Sequence, residues 1–287
     1  MKFLKTLGRL ALYAFIFIIS PLLASLFLAN LYSLLLFFGA NPGSAVIFAA
    51  ENMAVTIILS GVLTVVFGGL TLVARGINPL KYMEFKRLSL KNAAVSLLIG
   101  IGFSLFVTSL LTLLKVDTVI PDTISEEILE AIEANFLQIL VAVGMAVPFY
   151  EEFFFRGLIF KELQNSSRLW IAVILQGLIF GALHLNWFQF IYTFPAGIVM
   201  GMVFLRYRSI WAPILIHLGW NTTSTLLSIP EDLPFAGFVL MLLVGGGMLF
   251  AGLYYTFKTR PQAVEDEEPK PETGPGEPII VDAETCY

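Results

Sequence analysis

Charge is what this chain has least of. Acidic and basic residues together make up 13% of its 287 residues, where a soluble domain carries about a quarter. So little polar material cannot cover a water-soluble protein of this length, which excludes a soluble fold with a large core. Cysteine is scarcer still: Cys286 stands alone. That rules out an intramolecular disulfide framework and a multi-cysteine metal site. Only Tyr287 follows it, whereas a C-terminal lipidation box needs three residues after the cysteine. Histidine occurs twice, at His184 and His217, and never as H-E-x-x-H, so a zinc-protease helix of that kind is absent.

Hydrocarbon fills the space that charge leaves. The composition is 57% hydrophobic with 26 phenylalanines, and the mean hydropathy is +0.85. Several apolar runs reach the roughly 20 residues that span a bilayer. They predict an all-α, polytopic membrane protein with about eight transmembrane helices, over 9–38, 45–74, 92–114, 134–161, 168–186, 189–205, 209–229 and 234–257. The basic start followed by an apolar run imitates a signal peptide. The run continues to Phe38, too long for a signal h-region, and reads as a retained first span.

Basic residues set the orientation. Every one of the 17 except Lys115 falls in segments that can share one side, so the positive-inside rule places both termini in the cytoplasm. In the outer segment "DTISEEILEAIEANF", Thr123 and Glu126 form a capping box, and Ile124, Ile128, Leu129 and Ile132 recur at helical spacing. That pattern predicts a short amphipathic helix lying on the membrane face. From Pro261 the composition changes: eight acids and five prolines stand against one base, Lys270. Such a stretch buries too little apolar surface to fold. The expected organisation is therefore a membrane domain over 1–260 and a disordered acidic cytoplasmic tail over 261–287. No solenoid or inverted-transporter repeat is visible.

The few ionisable residues inside the spans carry the chemistry. In "VPFYEEFFFRG", Glu152 and Arg156 are spaced i, i+4 with the acid first, the favoured order for an ion pair along one helix. Glu151 is rotated by about 100° from Glu152 and needs another partner, for which His184, His217 and Asn221 are the candidates. Phe180 and His184 share one helix face, and His217 and Asn221 share another. A glutamate among imidazoles in a low-dielectric cavity can take a proton from water. A histidine with an asparagine can donate to a developing oxyanion. Together these describe amide hydrolysis by activated water without an acyl-enzyme. The bland alternative is a buried polar network that only fixes helix packing. Intramembrane ionisable groups arriving together on three spans favour a site. Nearby, Gly177/Gly181 and Gly197/Gly201 form small-xxx-small pairs, and Pro148, Pro195 and Pro213 each free a backbone carbonyl one turn earlier. Counting rise along the spans, Glu151, His217 and His184 fall at about 15, 12 and 24 Å from one end. They meet only if helices tilt or if "SSRLW" already lies in the headgroup layer.

The succession Glu-Glu-x-x-x-Arg (Glu151, Glu152, Arg156), Phe-x-x-x-His (Phe180, His184) and His-x-x-x-Asn (His217, Asn221) resembles the signature of the CAAX-protease and bacteriocin-processing family. These abortive-infection type intramembrane proteases include the type II CAAX prenyl endopeptidases. The resemblance covers roughly 145–225. It implies that Glu151 is the general base, helped by His184; that His217 and Asn221 form the oxyanion hole; and that Glu152 and Arg156 position the site. It further implies a membrane endopeptidase acting on a peptide or protein substrate, with lipidated CAAX-type C-termini as one substrate class and no nucleic-acid partner. The family is often labelled metalloendopeptidase, and Glu151, His184 and His217 would be the ligands if zinc is bound; the preferred reading is metal-free. Two other functions stay open. One is a non-proteolytic scaffold or bacteriocin-immunity protein using the same pocket, and the other is a proton-coupled transporter.

Overall fold

The computed structural model of the protein describes residues 2–116, 130, 133–227 and 233–258. The expected amphipathic helix around 123–132 lies, but for Glu130, outside these residues, as do the acidic tail and Cys286. Among the described residues the chain is all-helical. Helix α1 (Lys2–Phe37) is followed by α2 (Ala45–Glu51), α3 (Met53–Val73), α4 (Pro79–Tyr82) and α5 (Leu90–Leu113). After the segment outside the description come α6 (Phe136–Ser166), α7 (Leu169–Ala182), α8 (Trp187–Tyr207), α9 (Trp211–Leu227) and α10 (Phe235–Lys258).

Helix starts follow local capping chemistry. Ser44, Asn78, Ser89 and Asn186 each accept a hydrogen bond from a backbone N–H in the first turn of the helix they precede, satisfying donors that have no intrahelical partner. Helix α8 ends where Arg208 turns left-handed (φ 51°).

The eight expected spans correspond to eight helical stretches, with one correction. Among the described residues, six helices (α1, α3, α5, α6, α8 and α10) are long and apolar enough to cross a membrane unaided. Helix α7 has 14 residues and α9 has 17, about 21 and 26 Å of rise. Helix α7 is short because it stops at Ala182, before His184. The mean apolarity of α9 is diluted by its run Asn221, Thr222, Thr223, Ser224 and Thr225.

The centre of the protein is aromatic. Phe153, Phe154, Phe155, Leu158 and Phe160 of α6 pack with Phe180 of α7 and with Met200 and Phe204 of α8, all buried. Outward faces of α1, α3 and α10 carry exposed leucine, phenylalanine and valine, such as Phe15, Leu22, Val62, Leu70, Leu243 and Phe250. That apolar periphery suits lipid, and the protein is an integral membrane protein.

Two close helix crossings fix the site. A Cβ on Gly100 of α5 would come 1.9 Å from the Ile216 carbonyl oxygen of α9. The α5 and α9 backbones therefore touch beside His217, and any side chain there would displace it. Gly197 of α8 meets Gly177 of α7 similarly, its ideal Cβ lying 2.9 Å from the Gly177 Cα. The small-residue spacing read from the sequence is thus used for backbone contact.

Candidate active site

Helix α6 widens on both sides of its acidic pair. The backbone takes i→i+5 turns over Ala142–Ala146 and again over Phe153–Phe160, bracketing the α-helical turn Val147–Glu152. Such wide turns free carbonyls and occur often at functional sites. Pro148 has no N–H and can supply a hydrogen to neither the Val143 nor the Gly144 carbonyl. Helix α9 fills both: Asn221 Nδ2 donates to Val143 O at 3.0 Å, and Thr222 Oγ1 to Gly144 O at 3.2 Å. The proline that opens α6 and the amide and hydroxyl that close it form one device tying α9 to α6. Asn221 thus spends one of its two amide hydrogens on the fold and retains the other.

Below this junction lies a wholly buried ion pair. Arg156 Nη1 donates to Glu152 Oε1 at 2.6 Å, with both side chains 0% exposed. Arg156 Nη2 reaches the Gly197 carbonyl at 3.1 Å, and the guanidinium lies 4.8 Å from the Phe180 ring centroid. The Gly197 carbonyl also accepts from Gln176 Nε2 at 2.7 Å. His217 completes the group, its Nδ1 lying 2.8 Å from the same Glu152 oxygen. A carboxylate only accepts, so Nδ1 carries the hydrogen. The expected i, i+4 pairing is present, and Glu152 orients both Arg156 and His217.

Glu151 stands apart. Its side chain is 12% exposed, and its Oε2, buried, has no hydrogen-bond partner among the described residues. The nearest imidazole nitrogen is His217 Nε2, at 3.9 Å. That is too long for a hydrogen bond. It is a separation that one oxygen at about 2.8 Å from each atom, subtending about a right angle, would bridge. Glu151 lines a cavity of about 320 Å³ with His184, Tyr150, Leu183, Ser60 and Thr64. Phe17 and Pro21 of α1 close the far wall.

His184 also lines that cavity, but not from within a helix. The sequence reading placed it on a span over 168–186. Instead α7 ends at Ala182, and Leu185 takes a left-handed conformation (φ 54°). The reason is local. His184 Nδ1 lies 2.8 Å from the Phe180 carbonyl, so the ring donates to a free carbonyl at the C-terminus of α7, as C-terminal caps do. With Nδ1 protonated, Nε2 of the neutral ring is an acceptor.

The motif residues therefore converge from α6, the α7–α8 turn and α9. Glu151 and His184 face the cavity, His217 lies between the two glutamates, and Glu152 and Arg156 form the buried floor. Asn221 caps the opened turn of α6. Among the described residues, no group of three or more His, Cys, Asp or Glu is placed to hold a metal ion. As arranged, Glu151, His184 and His217 do not make a zinc ligand set.

Similarity to known proteins falls on this same segment. The profile described as "Type II CAAX prenyl endopeptidase Rce1-like" matches residues 133–223. All seven motif residues, Glu151, Glu152, Arg156, Phe180, His184, His217 and Asn221, lie inside it. The sequence resemblance and the Rce1-like match coincide. Among curated proteins, the chain is 31% identical over 98 residues to "Putative membrane peptidase YdiL" of Bacillus subtilis (strain 168), covering 34% of this chain and 40% of that one. It is 28% identical over 107 residues to "UPF0177 protein YbdI" of Lactococcus lactis subsp. lactis (strain IL1403), covering 37% of this chain and 56% of that one. The alignments thus span less than two thirds of either relative's length. No solved structure gives a significant match.

Sequence reasoning missed several residues around the site. Thr222 was one residue from a motif position, and only the freed Gly144 carbonyl singles it out. Tyr150 packs its ring on Gly61 of α3, where an added Cβ would come 2.3 Å from the tyrosine Cδ1; this contact forms one wall of the cavity. Glu162, at the end of α6, is fully buried and accepts from Arg9 at 2.9 Å and Arg75 at 2.6 Å. Arg9 and Arg75 read in the sequence only as inside-facing charges.

Proposed function

We propose that this chain is an intramembrane endopeptidase that hydrolyses a peptide bond with water activated by Glu151. The observation carrying this reading is the Glu151 carboxylate itself. It is the acid of the pair that faces the cavity, with an unpartnered oxygen 3.9 Å from His217 Nε2. In the proposed reaction Glu151, helped by His184 across the shared cavity, accepts a proton from water. The resulting oxygen attacks the scissile carbonyl carbon. The second Asn221 N–H, and His217 Nε2 after the ring has taken a proton from solvent, stabilise the oxyanion. Collapse breaks the C–N bond, and the leaving nitrogen takes the proton from Glu151, directly or through His184. Glu152 and Arg156 hold His217 in register. The reaction runs on these side chains alone.

The Rce1-like similarity supports a substrate with a CAAX-type C-terminus, prenylated where that branch's chemistry extends to this chain. The expected orientation has both termini in the cytoplasm, with the substrate entering from that side. The test is cleavage of a quenched-fluorophore peptide bearing a farnesyl-cysteine CAAX sequence by the purified full chain. The parental protein cleaves it, Glu151→Gln and His184→Ala do not, and strong chelators leave the parental rate unchanged. Full cleavage by Glu151→Gln contradicts the mechanism; loss of activity on chelation, restored by zinc, contradicts the metal-free version.

A second reading rests on the closed network. Glu152, Arg156, His217 and Asn221 are all engaged with protein partners, as a non-catalytic scaffold would require. In that case Glu151→Gln, which keeps shape and removes the base, would retain full biological function.

A further inference from the structure

A second polar pocket lies at the far end of α6. Its foundation is Glu84, buried in the turn after α4, whose two carboxylate oxygens hold two different helices. Lys161 of α6 pairs with Oε1, and Arg208, at the end of α8, pairs through Nε with Oε2 at 3.1 Å. Both Glu84 (φ 59°) and Arg208 (φ 51°) hold left-handed backbone. Residues other than glycine take that conformation only when their surroundings impose it. The surroundings are on view: Ile210 N donates to Glu84 O at 3.0 Å, and Ser209 Oγ to Lys86 O at 2.7 Å. Two turns from distant parts of the chain are thus clamped together, and the clamp aims cations.

Beside it opens a cavity of about 470 Å³, lined by Tyr82, Lys161, Gln164, Asn165, Leu205 and Arg208. The lining holds two cations and no carboxylate. Glu84 lies behind them and neutralises one charge, so the pocket is net positive. Arg208 meets Glu84 Oε2 through Nε as an ion pair without hydrogen-bond geometry, and its half-exposed side chain leaves the terminal nitrogens for a ligand. A guanidinium fork, an ammonium and two side-chain amides make a donor set for a phosphate group. Leu169 completes the lining on the apolar side. It and its neighbour Trp170 are exposed, as residues at a lipid interface are.

We propose that this pocket binds the phosphate of an anionic membrane lipid, with Arg208 and Lys161 on the phosphate and Leu205 and Leu169 against the glycerol and upper acyl chains. Basic pockets between membrane helices on the cytoplasmic side bind such headgroups. The cations serving this pocket lie in the segments whose basic residues mark the inside.

The test uses the detergent-purified full chain and its thermal unfolding. Short-chain phosphatidylglycerol should raise the midpoint saturably, at a concentration at least about tenfold below that of matched phosphatidylcholine. Arg208→Gln should weaken the phosphatidylglycerol response about tenfold. Gln164→Leu leaves both Glu84 ion pairs intact and should weaken it several-fold, so a folding defect in the first variant does not decide the matter. Lys258→Gln, outside the lining, should change nothing. Equal responses to the two lipids overturn the proposal, as do unaltered responses in both pocket variants. Inorganic phosphate acting at the same concentration as the lipid would overturn the lipid assignment.

Discussion

Helix α6 carries three glutamates, two fully buried and Glu151 partly so, and they live differently. Glu162 at its end is gripped by Arg9, Arg75 and Tyr82. Glu152 in its middle is gripped by Arg156 and His217. Glu151, one residue away, has no cation at hydrogen-bond distance and borders a cavity. Glu162 engages both oxygens and Glu152 only Oε1, its Oε2 having no hydrogen-bond partner among the described residues. Both charges are nonetheless neutralised on the spot by adjacent arginines, as burial in a low dielectric demands. The third has no cation beside it and turns toward the cavity. Residue type and helix are constant across the three, so the proposed division between structural acids and a chemical one rests on the paired arginine and the cavity.

Removing the cation from a paired acid is the harshest way to break that contrast. Arg156→Leu leaves Glu152 charged and buried with His217 as its remaining partner, and breaking a buried pair this way costs about 3–5 kcal/mol. Loss of folded, monodisperse protein in detergent is expected; a variant with parental unfolding would show that the pair contributes nothing. Glu162→Gln removes charge from the clasp at the end of α6 but keeps its shape and some hydrogen bonding, so a smaller loss of about 1–3 kcal/mol is expected. Chemical denaturation of the refoldable fraction checks it. Thr222→Val withdraws the hydroxyl from the Gly144 carbonyl that Pro148 cannot serve. About 1 kcal/mol should go, with the peptidase rate falling through disturbed placement of α9 instead of lost chemistry.

The smallest effect is one of pH. Burial first, and then the charge of Glu162, raise the Tyr82 phenol above its ordinary 10.0. A group whose native-state value is raised stabilises the fold below its unfolded value and loses that contribution as pH climbs. Stability should therefore decline above about pH 10, and Tyr82→Phe should flatten that alkaline arm in melting curves taken between pH 7 and 11.

Much of this was legible in the sequence because hydropathy and spacing are local signals. Apolar runs located the helices to within a few residues in most cases, and i, i+4 spacing foretold the Glu152–Arg156 pair. The illegible parts depend on contacts between distant segments. Arg9 and Glu162 are 153 positions apart, so nothing along the chain pairs them. The end of α7 was misplaced because "FGALHL" is apolar enough to continue as helix. The His184 ring, by bonding back to the Phe180 carbonyl, stops it. The depth mismatch of His184 turned on the same contact: the residue reaches the cavity from a turn, not from the interior of a span. Likewise Asn221 read as an oxyanion donor alone, since its second task exists only because α6 widens at Pro148.

The most direct test compares Glu151→Gln with Glu162→Gln in the purified full chain, measuring peptide cleavage and thermal unfolding on the same samples. The account predicts opposite profiles: Glu151→Gln loses at least about a hundredfold in rate, the scale of a missing general base, with its unfolding midpoint unchanged, whereas Glu162→Gln melts earlier yet cleaves at a rate near the parental one. Undiminished cleavage by a folded Glu151→Gln protein would contradict the central claim.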